Sequence, residues 1–171
     1  MQRITTLPTI FPVTCHTDHV GPNSTFVVIK GYNHDGVNYI LTALEKGATT
    51  IVLEHDVVLP LPIEHAISAH NTRIERVTNT RLALATLSAR ALNYPARKLK
   101  IIGITGTKGK TTSSFVLEHV LRSSGYNTAL VSTVYNMING QRFPMSLTTP
   151  QPDYLHVFFD ACVQSGVEYV V

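Results

Sequence analysis

Tryptophan is absent, and cysteine occurs only at Cys15 and Cys162. Two cysteines so far apart, outside any CxxC pair, make no disulfide framework and favour a reducing compartment. Charge is sparse: charged residues are 15% of 171 residues and the formal net charge is +3. Lysine and arginine form no block and no stripe interleaved with aromatics, which argues against a nucleic-acid partner. No apolar run approaches the length of a membrane span, and the opening stretch MQRITTLPTIFPVT lacks the apolar core of a signal peptide. Internal repeats and low-complexity tracts are missing as well. The expectation is a soluble cytoplasmic protein with neither a nucleic-acid nor a membrane partner.

What is present is enough apolar material, 44% of residues, to build a core. A small basic excess suits an anionic small ligand. Strand and helix signals alternate along the first half. TFVVIK (25–30) and ATTIVLE (48–54) are β-branched and apolar, and RIERV (73–77) alternates like a short strand. Between them, Ile40, Leu41 and Leu44 fall at helical spacing before Gly47, while 56–64 with its two prolines reads as loop. Asn79 can cap a helix running to about Leu92, with Leu82, Ala85, Ala89 and Leu92 on one face. NYPARK (93–98) reads as a linker, which sets a domain boundary near residue 97.

The alternation then restarts. LKIIGIT (99–105), NTALVST (127–133) and GVEYVV (166–171) read as strands, with helices over 110–124 and from Pro150–Pro152 to about Gln164. Asn139-Gly140 reads as a tight turn. Strands alternating with helices imply a parallel sheet. The expected fold is therefore α/β: a small N-terminal α/β nucleotide-binding domain over 1–97, followed over 98–171 by the start of a phosphate-loop, parallel-sheet ATPase domain. Such sheets usually have more strands than are predicted here, so the second domain looks cut short.

The stretch GITGTKGKTTSS (103–114) carries the chemistry. An apolar strand ends, the chain turns through glycines, and a helix begins. Glycine lets successive backbone N–H groups point at phosphate oxygens, and the helix N-terminus adds partial positive charge. In Gly106-Thr107-Lys108-Gly109-Lys110-Thr111-Thr112, Lys110 is placed to reach the β- and γ-phosphates of ATP, and the Thr111 hydroxyl to ligate Mg²⁺. Lys108 can face phosphate or be a solvated loop charge.

The loop is shorter than the usual GxxxxGK[ST], and in this form, GTxGKTT after an apolar strand, it resembles the ATP-binding loop of the Mur ligase superfamily. SLTTPQP (146–152) resembles the TTP motif of the UDP-N-acetylmuramyl-tripeptide synthetases. By that resemblance Thr148 and Thr149 help hold the substrate beside ATP. Residues 24–54 resemble the same family's uridine-nucleotide-binding domain, which puts Tyr32, Asn33 and His34 where the family contacts uracil. His34 can equally be a surface loop histidine. Where the family has Asp-Ser-Arg, this chain has His16-Thr17-Asp18; Thr17 keeps a hydroxyl for the nucleotide, and the arginine is lost. Cys15, His16 and His19 lack a fourth ligand and read as a polar loop rather than a metal cluster.

The resemblance implies an ATP- and Mg²⁺-dependent carboxylate–amine ligase of peptidoglycan precursor synthesis. It would be monomeric and would join a third amino acid, diaminopimelate or lysine, to UDP-N-acetylmuramoyl-L-Ala-D-Glu through an acyl phosphate. The family's Mg²⁺-binding Glu-Val-Ser-Ser-His segment would follow the last strand, so the 171 residues are expected to be a fragment not competent alone. Glu168 does not match that glutamate and reads as an ordinary strand-start residue. Alternatives are a nucleotide- or UDP-sugar-binding module without ligase activity, or a folylpolyglutamate- or cyanophycin-type ligase.

Overall fold

The computed structural model describes residues 4–31, 35–143 and 150–171. They divide into two compact units, one of residues 8–91 and one of 92–171 together with 4–7. The division falls between Ala91 and Leu92, ahead of the boundary expected near residue 97. Segment 93–98 is not an open linker: Asn93 and Tyr94 adopt left-handed backbone (φ 56° and 50°), and Pro95–Lys98 forms a 3-10 turn with Pro95 buried and Arg97 stacked 4.4 Å over the Tyr94 ring.

The 8–91 unit is a parallel sheet covered on both faces. Strands β1 (Val13–Thr14), β2 (Thr25–Val27), β3 (Thr50–Glu54) and β4 (Arg73–Val77) lie in that order, with Phe26 opposite Ile51 and Ile51 opposite Ile74. Side chains alternate across the sheet. Phe26, Val28, Ile51 and Leu53 pack with Ile40, Ala43, Leu44, Ile63 and Ile67 of helices α1 (Ile40–Glu45) and α2 (Leu61–Ala69). Val13, Val27 and Val52 pack on the other face with Leu84 of helix α3 (Thr80–Ala91).

Helix α2 begins inside the segment expected to be loop and takes in its last residues, 61–64. Its prolines did not forbid a helix because Pro60 precedes it and Pro62 lies in its first turn, where no amide has an intrahelical partner. Helix α3 is where expected but rotated. Leu84 is fully buried, whereas Leu82 is 66% exposed. Asn79 Oδ1 accepts the Leu82 amide at 2.9 Å, and the Glu54 carboxylate accepts both the amide and the hydroxyl of Thr80 at 3.1 Å. Anchored there, Thr80, Leu84 and Ser88 face inward at a spacing of one helical turn each.

Two glycines mark turns that no other residue fits well. Gly47 ends α1 at φ 96°. Gly36 carries an ordinary φ, but a Cβ there would lie 2.7 Å from the Ile29 nitrogen and 2.8 Å from its oxygen.

The 92–171 unit contains strands β5 (Lys100–Ile101), β6 (Thr128–Leu130), β7 (Asn136–Ile138), β8 (Gln141–Phe143) and β9 (Tyr169–Val170), with helices α4 (Lys110–Ser123) and α5 (Pro152–Gln164). The order is β5-β9-β6-β7-β8. The first three run parallel, and the β7–β8 hairpin extends the sheet antiparallel. Asn139 and Gly140 both have positive φ (46° and 84°), the conformation a two-residue hairpin turn requires. Phe158, Ala161 and Cys162 of α5 cover one sheet face, and Phe115, Leu117 and Leu121 of α4 lie against Leu130 and Val171 on the other. Parallel β5, β9 and β6 all direct their carboxyl ends to one edge, the edge from which α4 starts.

Candidate functional site

The loop between β5 and α4 lies at that carboxyl edge. The Lys100 and Ile102 amides bond to the Glu168 and Val170 carbonyls, so β9 fixes the direction in which the chain leaves the sheet. Gly106 (φ 148°) and Gly109 (φ 80°) then turn the backbone through conformations that a side chain resists. Gly109 is the N-cap of α4 and offers no side-chain acceptor, so the first-turn amides of a 14-residue helix are left without a side-chain cap. Serine or aspartate would have capped these amides from within; glycine leaves them for an anion.

The residues singled out in the loop come together. Gly106, Thr107, Lys108, Gly109, Lys110 and Thr112 are exposed, and Thr111 is half-buried at the base of α4. The Lys110 ammonium folds back to donate to the Gly106 carbonyl, which keeps it over the loop. Thr111 and Lys110 line a cleft of about 320 Å³ with Ser114, Ser132 and Thr133, floored by Ile102, Val131 and Val170. Among the described residues the cleft lining holds no carboxylate, so nothing negative there competes with a phosphate.

Two features the sequence reading missed complete the site. The first is Thr133, in the turn three residues beyond the end of β6, whose hydroxyl oxygen is 3.3 Å from that of Thr111. The second is fully buried Asn136, which fixes the turn after β6: its Oδ1 accepts the Ser132 amide at 3.3 Å, and its Nδ2 donates to the Tyr154 hydroxyl at 3.0 Å. The available signal was the Ser132-Thr133 pair leaving an apolar strand, the position where ligands collect in parallel α/β sheets.

Behind the loop, Glu118 of α4 is almost wholly buried. It accepts from the Thr128 hydroxyl at 2.7 Å and from Arg122 Nε at 3.0 Å, tying α4 to β6. Thr111 lies in the first turn of α4 and Thr133 in the turn that follows β6, so this contact ties together the two elements that lead to them.

In the 8–91 unit, Thr17 starts a 3-10 turn, Thr17–His19. Its carbonyl accepts from Lys46 Nζ at 2.9 Å, and Asp18 is 3.9 Å from the same ammonium. His19 stacks on Phe11 at 4.1 Å, and His16 Nδ1 accepts the Asp18 amide at 3.3 Å. The loop around Thr17 is thus held by polar contacts. Asn23 takes a positive φ of 67°, as its place in the turn before β2 requires. Tyr32, Asn33 and His34 lie outside the described residues, as do Thr148 and Thr149.

Whether the loop fits a bound nucleotide and its cation can be judged from these donors. Uncapped amides, a lysine above the loop and a carboxylate-free cleft fit a polyphosphate. Among the described residues there is no group of three or more His, Cys, Asp or Glu able to hold a metal by itself. A hard cation here would be held by hydroxyl oxygen, for which Thr111 stands at the head of α4, together with the phosphate's own oxygens.

Comparison with known proteins bears on the family and the fold. Residues 104–171 match the Mur ligase middle domain, and residues 10–92 match the catalytic domain of the Mur ligase family. The UDP-N-acetylmuramoyl-L-alanyl-D-glutamate–2,6-diaminopimelate ligase of Clostridium perfringens is 40% identical over 85% of this chain and 28% of its own length. The enzyme of the same name from Bacillus licheniformis is 37% identical over 96% of this chain and 31% of its own. The chain therefore spans about three tenths of the length of these relatives. A solved structure of a ligase of that name superposes with a TM-score of 0.72 at 18% identity, covering 94% of this chain and 31% of that one, which bears on the fold. The crystal structure of the MurF ligase from Thermotoga maritima in complex with ADP gives 0.53 at 26% identity, over 80% of this chain and 29% of that one. With both units matched in order and the phosphate-type loop in place between β5 and α4, the chain belongs to the Mur ligase family.

Proposed function

We propose that this chain serves the ATP-dependent joining of 2,6-diaminopimelate to UDP-N-acetylmuramoyl-L-alanyl-D-glutamate, a step of peptidoglycan precursor synthesis. The observation that carries this is the 106–112 loop, opened by two left-turning glycines at the head of α4, in a chain whose relatives share the name of that ligase. The relatives' names favour diaminopimelate over lysine.

The 92–171 unit holds ATP and the 8–91 unit holds the uridine nucleotide. ATP supplies a phosphoryl group that converts a carboxylate, a poor electrophile, into an acyl phosphate that an amine can attack. This chain's own part is positioning and charge compensation. The Gly109–Thr112 amides and the α4 N-terminus receive phosphate oxygens, Gly106 and Thr107 shape the turn, and Lys110 offsets charge on the β- and γ-phosphates. Lys108 adds a second cation at the mouth. Thr111 contributes oxygen to Mg²⁺. Thr148 and Thr149 hold the substrate beside the nucleotide, and Thr17, Tyr32, Asn33 and His34 form the uridine side. Cys15 and Cys162, neither in a disulfide, suit a reducing, cytoplasmic setting; the protein is taken to act as a monomer.

Calorimetric titration of the chain with ATP·Mg²⁺, and separately with UDP-N-acetylmuramoyl-L-Ala-D-Glu, tests the reading. Saturable binding of each is expected, and Lys110→Ala should weaken only the first. Binding of neither would overturn it.

A further inference from the structure

We infer that Thr133 is a positioning residue for the nucleotide-bound cation: its hydroxyl oxygen accepts a hydrogen bond from the Thr111 hydroxyl and so turns the Thr111 lone pairs towards the metal. This rests on the function proposed above and goes beyond it, since the loop alone does not include Thr133.

A threonine hydroxyl has one proton to donate and two lone pairs to offer. When its oxygen ligates a cation, the proton is repelled and must point elsewhere, towards an acceptor. Thr133 Oγ1, 3.3 Å from Thr111 Oγ1, is such an acceptor. Either oxygen can donate across this contact; donation by Thr111 sends its proton away from the cation and leaves both of its lone pairs free, whereas donation by Thr133 would occupy one of them. Ser114, the other hydroxyl nearby, is engaged elsewhere, donating to the Thr111 carbonyl at 2.8 Å.

The acceptor is also held still. The Ser132 hydroxyl donates to the Tyr135 carbonyl at 2.8 Å and accepts the Val134 and Tyr135 amides at 3.3 Å, closing the turn that presents Thr133. Asn136, buried and bonded to both the Ser132 amide and the Tyr154 hydroxyl, anchors that turn to α5. A partner fixed in this way orients a metal ligand at little entropic cost on binding, as hydrogen-bonded neighbours of metal ligands commonly do. Thr133 itself is exposed, so changing it disturbs no core.

The test compares ATP affinity of the chain in Mg²⁺ and in EDTA, by titration calorimetry, for the wild type, Thr133→Val, Thr133→Ala and Thr133→Ser. The wild type should bind more tightly with Mg²⁺. Valine and alanine should lose about tenfold of the affinity in Mg²⁺, the size of one hydrogen bond at a charged site, and none in EDTA. Serine, which keeps the acceptor, should behave as wild type. Valine and alanine variants that keep the full Mg²⁺ increment, or that weaken equally in EDTA, would overturn the role of Thr133 and leave the ATP site standing. A wild type that binds no ATP under either condition would sink the functional reading and this inference together.

Discussion

At the scale of the residue, this protein uses glycine for two unrelated reasons. Gly109 has open space where a Cβ would go but a φ of 80°, so its requirement is conformational. Gly109→Ala should cost about 1–2 kcal/mol by urea denaturation and also weaken ATP, because the uncapped amides move. Gly36 has no positive φ; its requirement is a backbone approach at 2.7 Å. Gly36→Ala should destabilise by about 1–3 kcal/mol or more, with ATP affinity unchanged. The identity of Gly109 was legible in the sequence because a phosphate loop announces its glycines. The close approach at Gly36 was not, because it depends on Ile29 passing beside it.

At the scale of the element, α4 is a phosphate helix at one end and a structural strut further along. Glu118→Ala leaves the Thr128 hydroxyl buried without its partner, a cost of about 1–3 kcal/mol. Adding Thr128→Val should recover part of that in chemical denaturation, since removing both polar partners is cheaper than removing one. Helix α5 predicts a pH effect. Burial holds the His156 imidazole below its ordinary pKa of 6.5, and among the described residues its buried Nδ1 has no hydrogen-bond partner. Below pH 6.5 the unfolded chain takes up the proton before the folded one does, so stability falls as pH drops through that value. His156→Leu should flatten that acid slope in denaturation midpoints measured between pH 7 and about 5. The elements themselves were largely readable from periodicity, with α4 and α5 within a residue or two of expectation. Misreadings arose where tertiary contacts outweighed local pattern. Leu82 looked like a core residue of α3, yet the hydrogen bonds of Asn79 and Glu54 set the rotation that buries Leu84 instead.

At the scale of the whole molecule, the two units should respond separately to their ligands. Cys162 is fully buried in the 92–171 unit, and burial pushes its thiol pKa up. It should react with a thiol reagent only when that unit opens. ATP·Mg²⁺ at a hundredfold excess over its Kd should slow that labelling about a hundredfold, by mass action on the folded state. An unchanged rate would show that the nucleotide binds elsewhere. The sequence by itself determined the α/β class, the phosphate-type loop and its lysine and threonine, because glycine placement and strand–helix alternation are local properties of the chain. Only the tertiary structure decided that β9 returns between β5 and β6, and that Thr133, 22 residues further on in the turn after β6, arrives 3.3 Å from Thr111. Which strands become neighbours depends on how each sheet face finds a helix to bury it, and no local pattern encodes that choice.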